Sequence, residues 1–389
     1  MSNSANQRIS YALVLAMVST FTLAGPRLAF GQGTWEITRE SELALERGLS
    51  WLSANQGPQG DWGSDDLGLV AMGALAFMAD GNAPGRGEHG RPLERAIDRI
   101  LSQAKPSGLL NVSNPQRDMY NHGLTTFVLG QVHGMSHDPR ITSTLDRSLK
   151  LIAFTQCEDG GWDYRAKRQK NGHDLSLAVM QAKALRSAMD TGLEVGPEVV
   201  EMAIRSVREH YRPDGNLPRD ATEAEQRAVS GRFTYTRHGG KDSLAMAAAG
   251  VVCLQEFGQY DDWRIAKNMD HIHEEIAKLK DKKPRNGELP MDAYTLYYVG
   301  QALYQVGGDD WDRSYPILRD AVIAGQTIKP ESPNEHGRWR AGAHLGGTPS
   351  DLYGTSVGCF ILAMPNRYLP ILQEGRIESF QSNKFSVGR

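Results

Sequence analysis

The chain has 389 residues, 40% of them hydrophobic and 23% charged, and a net charge of −3. A balance so close to neutral gives no long-range pull on nucleic acid or on anionic lipid, which argues against a nucleic-acid partner. Three cysteines, Cys157, Cys253 and Cys359, are too few for a disulfide framework, and no C-x-x-C pair nominates a zinc site, so neither metal nor cofactor is expected.

At the N-terminus, Arg8 precedes an apolar run from Ile9 to Ala24, and Ala29-Phe30-Gly31 offers small residues for cleavage. Ser19, Thr20 and Thr22 interrupt the run, which is short for a membrane span of about 20 apolar residues. Residues 1–31 therefore read as an export signal or a retained anchor. The rest is expected to be one domain, residues 35–373, followed by a tail at 374–389. The protein is expected to be exported: periplasmic, secreted or held at the cell envelope, with peripheral membrane contact left open.

Internal repetition organises the body of the chain. Gln56-Gly-Pro-Gln-Gly60-Asp-Trp62 and Gln156-Cys-Glu-Asp-Gly160-Gly-Trp162 both read Q-x3-G-x-W, and each follows an amphipathic run, Leu45–Leu52 and Leu145–Phe154. Gly337-Arg-Trp339 keeps the G-x-W behind Gln326, while Gly108-Leu-Leu110, Gly215-Asn-Leu217 and Gly287-Glu-Leu289 carry leucine for tryptophan. The six glycines are 48, 52, 55, 72 and 50 residues apart, a repeat long enough for two helices and their loops. The first helices (Arg95–Gln103, Glu198–Glu209, Ile265–Lys278) are amphipathic. The second helices are expected to start at Asp66, Asn121, Asp174, Asp242, Asp292 and Asp351, because Asp and Asn accept from the free N–H groups of a first turn. Eleven residues beyond each start, three helical turns, stand Phe77, Val132, Leu185, Cys253, Leu303 and Leu362. Stretches such as Leu175–Leu185, Ser243–Leu254 and Ala293–Leu303 carry few charges and are expected to be buried nearly all round. Half-exposed first helices around buried second ones predict an all-α fold: an α6/α6 toroid of six helical hairpin repeats in two concentric layers. The Q-x3-G-x-W segment reads as a staple, its Gln bonding backbone at helix ends and its Trp packing between units.

These residues, with Met119-Tyr-Asn-His-Gly123, Asp292-Ala-Tyr-Thr-Leu-Tyr-Tyr298 and Asn366-Arg-Tyr-Leu-Pro370, resemble the QW repeats of the squalene cyclase and prenyltransferase repeat family over roughly residues 40–372. The resemblance implies a toroid whose central cavity holds an apolar, isoprenoid ligand. It also implies proton-initiated terpene cyclase or isomerase chemistry where the D-x-D-D acid motif is complete. Here the nearest match is Gly63-Ser-Asp65-Asp66: Asp65 falls on the proton donor, but Gly63 replaces the first Asp. Aromatic content of 8% is thin for a cavity that stabilises carbocations. The D-x-C zinc pair of the protein prenyltransferases is absent, as is the C-G-E-Q thioester motif of complement-type toroids.

Helix starts around a ring would place a collar of carboxylates at one mouth, where crowding of like charge raises a pKa. Asp65, Asp66, His173 and Asp174 are the candidate catalytic residues. Tyr120, His122, Asp242, Asp292, Tyr294, Asp351 and Tyr353 are the candidate ligand-binding residues. Each Asp reads first as a simple N-cap. His271 and His273 are expected to face solvent, and Cys157 is the cysteine expected nearest the surface. Two other readings stay open: a non-catalytic module that binds a protein or an envelope polymer, and a polysaccharide-active enzyme using two cavity carboxylates.

Overall fold

A computed structural model describes residues 35–215, 217–218, 220–342 and 349–373, with backbone alone at 239–242 and 349. The expected export segment at 1–31, the tail at 374–389 and the side chain of Asp242 lie outside the described residues. In chain order the helices are α1 (Arg39–Asn55), α2 (Leu67–Ala79), α3 (Gly90–Gln103), α4 (Asp118–His133), α5 (Pro139–Thr155), α6 (Leu175–Asp190) and α7 (Pro197–Arg208). There follow the short α8 (Glu223–Ala228), then α9 (Leu244–Glu256), α10 (Trp263–Ala277), α11 (Ala293–Val306), α12 (Gly308–Ala324) and α13 (Pro349–Ala363). Three short strands, β1 (Tyr211–Pro213), β2 (Gly231–Thr236) and β3 (Gly239–Asp242), form an antiparallel sheet in that order.

The inner layer closes on itself. α2 packs on α4, α4 on α6, α6 on α9, α9 on α11, α11 on α13, and α13 returns to α2. Outside them, α3 lies on α2, α5 on α4, α7 on α6 and α9, α10 on α9, and α12 on α11; α1 lies chiefly on α13. The fold is an all-α, α6/α6 toroid. Its last hairpin pairs α13 with α1, from opposite ends of the described chain.

Sequence pattern assigns the layers. Every residue of α2 is buried, as befits an uncharged, Ala- and Leu-rich helix with neighbours on all sides. In α3 the buried set Leu93, Ala96, Ile97 and Ile100 follows the i, i+3, i+4, i+7 rhythm, and the opposite face carries the charges.

The Q-x3-G-x-W segments make one recurring joint. Trp62, Trp162 and Trp339 donate their indole N–H to Leu52 O (2.7 Å), Ile152 O (2.9 Å) and Val322 O (2.8 Å), carbonyls in the last turns of α1, α5 and α12. The last carbonyls of a helix run short of backbone donors from their own helix, and the indole supplies one. The Gln amides reach forward to the next outer helix: Gln56 Nε2 to Pro92 O (2.8 Å), Gln156 Nε2 to Val199 O (2.8 Å) and Gln326 Nε2 to Ala44 O (2.8 Å). The third joint binds α12 to α1 and so locks the ring. All six repeat glycines, tryptophan or not, have positive φ between 78° and 93°.

Three expected helix starts hold as N-caps. Asp66 accepts from Gly68 N (3.0 Å) and Leu69 N (3.2 Å), Asp174 from Ser176 N (3.0 Å), and Asp292 from Thr295 N (3.0 Å). Three differ. α4 begins at Asp118, and Asn121 sits inside it donating to Asn111 Oδ1 (3.0 Å), because the turn at Pro115–Arg117 feeds the helix earlier. Asp242 belongs to β3, its backbone paired with Thr234, so the cap moves to Ser243. Asp351 lies within the first turn of α13 and is ion-paired with Arg338.

Two surface assignments are also corrected. His273 is buried between outer helices, its Nδ1 hydrogen-bonded to Ser314 Oγ at 2.6 Å and its Nε2 to Asp310, because adjacent outer helices pack laterally. Cys157 is fully buried in its staple turn, as are Cys253 and Cys359 within their helices.

Candidate functional site

The middle of the ring is packed. Lys183 of α6 is fully buried and bonds Glu256 Oε1 of α9 at 3.0 Å and Gln301 of α11 across the ring, with its ammonium 4.4 Å above the Phe127 ring of α4. Tyr298 donates to Met180 Sδ (3.6 Å), and Tyr297 stacks obliquely on Phe360 of α13, ring centres 5.5 Å apart. Burial holds the Lys183 pKa below its ordinary value, against the opposing pull of Glu256. At the C-terminal ends of the inner helices the chain turns across the ring: Ile371 N donates to Gln131 Oε1 (3.2 Å), and Tyr304 OH bonds Leu372 O. The other mouth is where the inner helices begin.

That mouth is tyrosine-rich. Tyr120 comes from α4, Tyr294 and Tyr298 from α11, Tyr353 from α13, Tyr164 from the loop before α6, and Tyr235 from β2. Tyr294 and Tyr298 meet edge to face at 4.9 Å. Asp174, its side chain fully buried, organises one wall. Its Oδ1 accepts from the α6 backbone and from Ser176 Oγ; its Oδ2 accepts from Tyr164 OH (2.6 Å) and meets His173 Nδ1 (2.9 Å). The Tyr164 hydroxyl in turn bonds that of Tyr235, and the His173 ring, half exposed, stands edge-on to Tyr164 at 4.7 Å. Burial first, and then the bond to Asp174, raise the Tyr164 pKa far above the phenol range, so it serves as a donor and not as a phenolate. Burial likewise raises Tyr120, Tyr294 and Tyr353. The Tyr294 hydroxyl is buried beside Ser176 and makes no hydrogen bond of good geometry among the described residues.

Of the residues singled out from the sequence, the structure brings together His173, Asp174, Tyr120, Tyr294 and Tyr353, with Asp292 beside Tyr353. Asp66 is a cap, 3.5 Å from Arg117 Nη1. Asp65 stands apart: its side chain is 85% exposed and faces Arg99 of α3 at 3.3 Å. His122 is fully buried on the outer side of α4, accepting from Leu110 N (3.2 Å) at Nδ1 and donating from Nε2 to Ser148 O (3.1 Å). It replaces the staple in a repeat that lacks tryptophan, and burial lowers its pKa to about 4. Tyr164, Tyr235 and Tyr298 were not singled out. The signal for Tyr235 was the 72-residue interval, whose surplus length holds α8 and the strands β2 and β3, the first of which carries Tyr235.

Among the described residues no cluster of His, Cys, Asp or Glu has metal-binding geometry, and no helix is long and apolar enough to cross a membrane.

No protein-family model matches the chain, and no curated protein matches it. Among solved structures, a possible member of the GH105 family from Klebsiella pneumoniae subsp. pneumoniae MGH 78578 aligns over 86% of this chain and 95% of its own, at 12% identity and a TM-score of 0.49. A type II terpene cyclase from Scytonema, solved with geranylgeranyl dihydroxybenzoate, aligns over 84% of this chain and 98% of its own, at 11% identity and a TM-score of 0.27. Both alignments are loose, and neither carries an argument about chemistry.

Proposed function

We propose that this is an exported toroid whose tyrosine-lined mouth binds a sugar unit of an envelope or extracellular polymer. The observation that carries the reading is the wall Tyr235–Tyr164–Asp174–His173, a fixed polar network facing several tyrosine rings. A sugar presents both complements: C–H faces that lie on aromatic rings, and hydroxyls that exchange hydrogen bonds with phenols and imidazole. The Tyr294 hydroxyl, without a well-formed hydrogen bond among the described residues, supplies a further donor for a ligand acceptor.

Binding is proposed and cleavage is not. Glycoside hydrolysis needs two carboxylates about 5–9.5 Å apart, one of them free to move a proton. Asp174 is committed to its own helix and to Tyr164, while Asp66 and Asp292 are engaged as caps. The reading taken from the family resemblance, an apolar or isoprenoid ligand with cyclase-like chemistry, finds support in the aromatic faces of Tyr120, Tyr294, Tyr298 and Tyr353, which suit a carbocation. Against it stand the fully buried Phe127, Lys183, Tyr297 and Tyr298, packed together toward the middle of the ring among the described residues, and the solvent-exposed position of Asp65.

The test is calorimetric titration of the full chain with a panel of oligosaccharides, beside native mass spectrometry of protein purified from its host. Tyr235→Phe, which removes one rim hydroxyl, and Asp174→Asn are each expected to weaken binding about tenfold or more, the loss of one hydrogen bond to a charged or coupled group. A co-purified isoprenoid with no measurable sugar binding would sink the proposal in favour of the apolar reading.

A further inference from the structure

Outside the ring, the 3-10 turn after α10, the loop to α11 and one side of α12 enclose a groove of about 660 Å3. Its floor and walls are apolar: Leu279, Leu289, Met291, Ile317, Ala321 and Ala324. Its rim is basic, with Lys280, Lys282, Lys283 and Arg285 on one lip. Three carboxylates also line it, and each is engaged. Glu288 faces Arg285 (3.6 Å) and Arg340 (3.5 Å), Asp320 pairs with Arg319 (2.7 Å), and Asp292 caps α11. On the lip, Lys282 donates to Pro290 O (2.7 Å), while Lys280 and Lys283, both exposed, have no ion-pair partner among the described residues. The unclaimed charge at the lip is therefore positive.

The polar inventory of the groove narrows the occupant. Pro284, Pro290 and Pro316 line it and have no N–H to offer. A bound peptide would have to pair its own amides and carbonyls along the apolar floor, where side chains offer no partner. An acyl chain has no such groups, and a volume of this size lies within the usual range of about 300–1,000 Å3 for small-molecule sites. We propose that this groove binds a long-chain fatty acid, its chain along the Leu289–Ile317–Ala321 floor and its carboxylate between Lys280 and Lys283. The site is distinct from the mouth and does not depend on what binds there.

Titration of the full chain with laurate below its micellar concentration tests the proposal, with dodecanol as the neutral-head probe and acetate as the head alone. Laurate is expected to bind one to one, dodecanol about tenfold more weakly or worse, and acetate not at all, with laurate affinity falling as salt rises. The Lys280→Glu/Lys283→Glu double variant is expected to weaken laurate about tenfold or more. Ala324→Trp, which fills the groove from an exposed position on α12, is expected to abolish binding, and Lys105→Glu, the same kind of substitution made once on a distant loop, to leave it unaltered. The proposal is overturned if laurate does not bind, if dodecanol binds as tightly as laurate, or if the groove variants bind laurate as the parent does. Unchanged thermal melting of the exposed variants separates loss of the site from loss of the fold.

Discussion

Two repeat glycines with nearly the same backbone offer a controlled test of what the staple turn contributes. Gly160 has φ +86° and Gly215 has φ +85°, but a Cβ on Gly160 would run into the carbonyl oxygen of Met202 in α7, whereas one on Gly215 meets nothing within 4 Å. In both, alanine in the left-handed region costs about 1–2 kcal/mol. The stiffer unfolded chain returns about 0.4–1 kcal/mol. Gly215→Ala should therefore lose about 1 kcal/mol. In Gly160→Ala the obstacle is backbone, which cannot swing aside as a flexible side chain would, so the turn and α7 must separate. Overpacking of that kind adds about 1–3 kcal/mol, for a total near 2–4 kcal/mol. Urea unfolding followed by circular dichroism and by tryptophan fluorescence reads the difference as a shift in midpoint at constant slope. Losses equal to within about 0.5 kcal/mol would show that the turn is not clamped against the neighbouring helix, and the account of the joints would fail.

Other outcomes follow from the buried polar groups. Lys183→Met should cost about 3–5 kcal/mol, because it strands the Glu256 carboxylate, and adding Glu256→Gln should recover much of that loss; equal stability of the single and double variants would refute the pairing. Trp162→Phe, which leaves the Ile152 carbonyl with only the longer bond from the Thr155 hydroxyl, should cost about 1 kcal/mol in the same assay. His122 and His210 are both held neutral by burial, with pKa values lowered to about 4. In the unfolded chain they take up protons near pH 6.5, so their contribution is complete above that value and is lost as pH falls toward 4, by up to about 3 kcal/mol each. Urea midpoints taken between about pH 7.5 and 4.5 should fall, and His122→Gln should flatten the fall; an unchanged slope would place the titration elsewhere.

The toroid was legible because its signals are local and repeated. A glycine at a left-handed turn recurs six times, with a tryptophan two residues after it in three copies and a glutamine four before it in two, and no tertiary knowledge is needed to count them. Asp66, Asp174 and Asp292 were readable as caps for the same reason. The mouth was legible only in part. His173, Asp174 and Tyr294 lie next to helix starts, so periodicity placed them, but Tyr235 arrives from an insertion whose path no repeat encodes. Asp65 and Asp66 are adjacent in sequence, yet Asp66 caps a helix and Asp65 stands in solvent. His122 was misleading in the opposite sense: its position in a helix suggested the mouth, but the face it occupies is decided by α5, which packs against it from outside. The packed middle, with Lys183 reaching Gln301, depends on side chains more than a hundred residues apart and left no trace in any window of sequence.

The sixth hairpin is assembled from the two extremes of the described chain: α1 lies on α13, Gln326 holds α1 by Ala44 O, and Arg367 meets Glu36 at 3.0 Å. An open solenoid can lose its terminal unit and keep the rest, whereas here removal of the first helix uncovers the last. Every unit has two neighbours, so no segment is free to peel away first, and unfolding should be all-or-none despite the repetitive build. The seam also sits where backbone continuity is already broken. A chain re-entered at one of the outer loops, with its old ends joined across the seam, should draw the same ring with a different starting point.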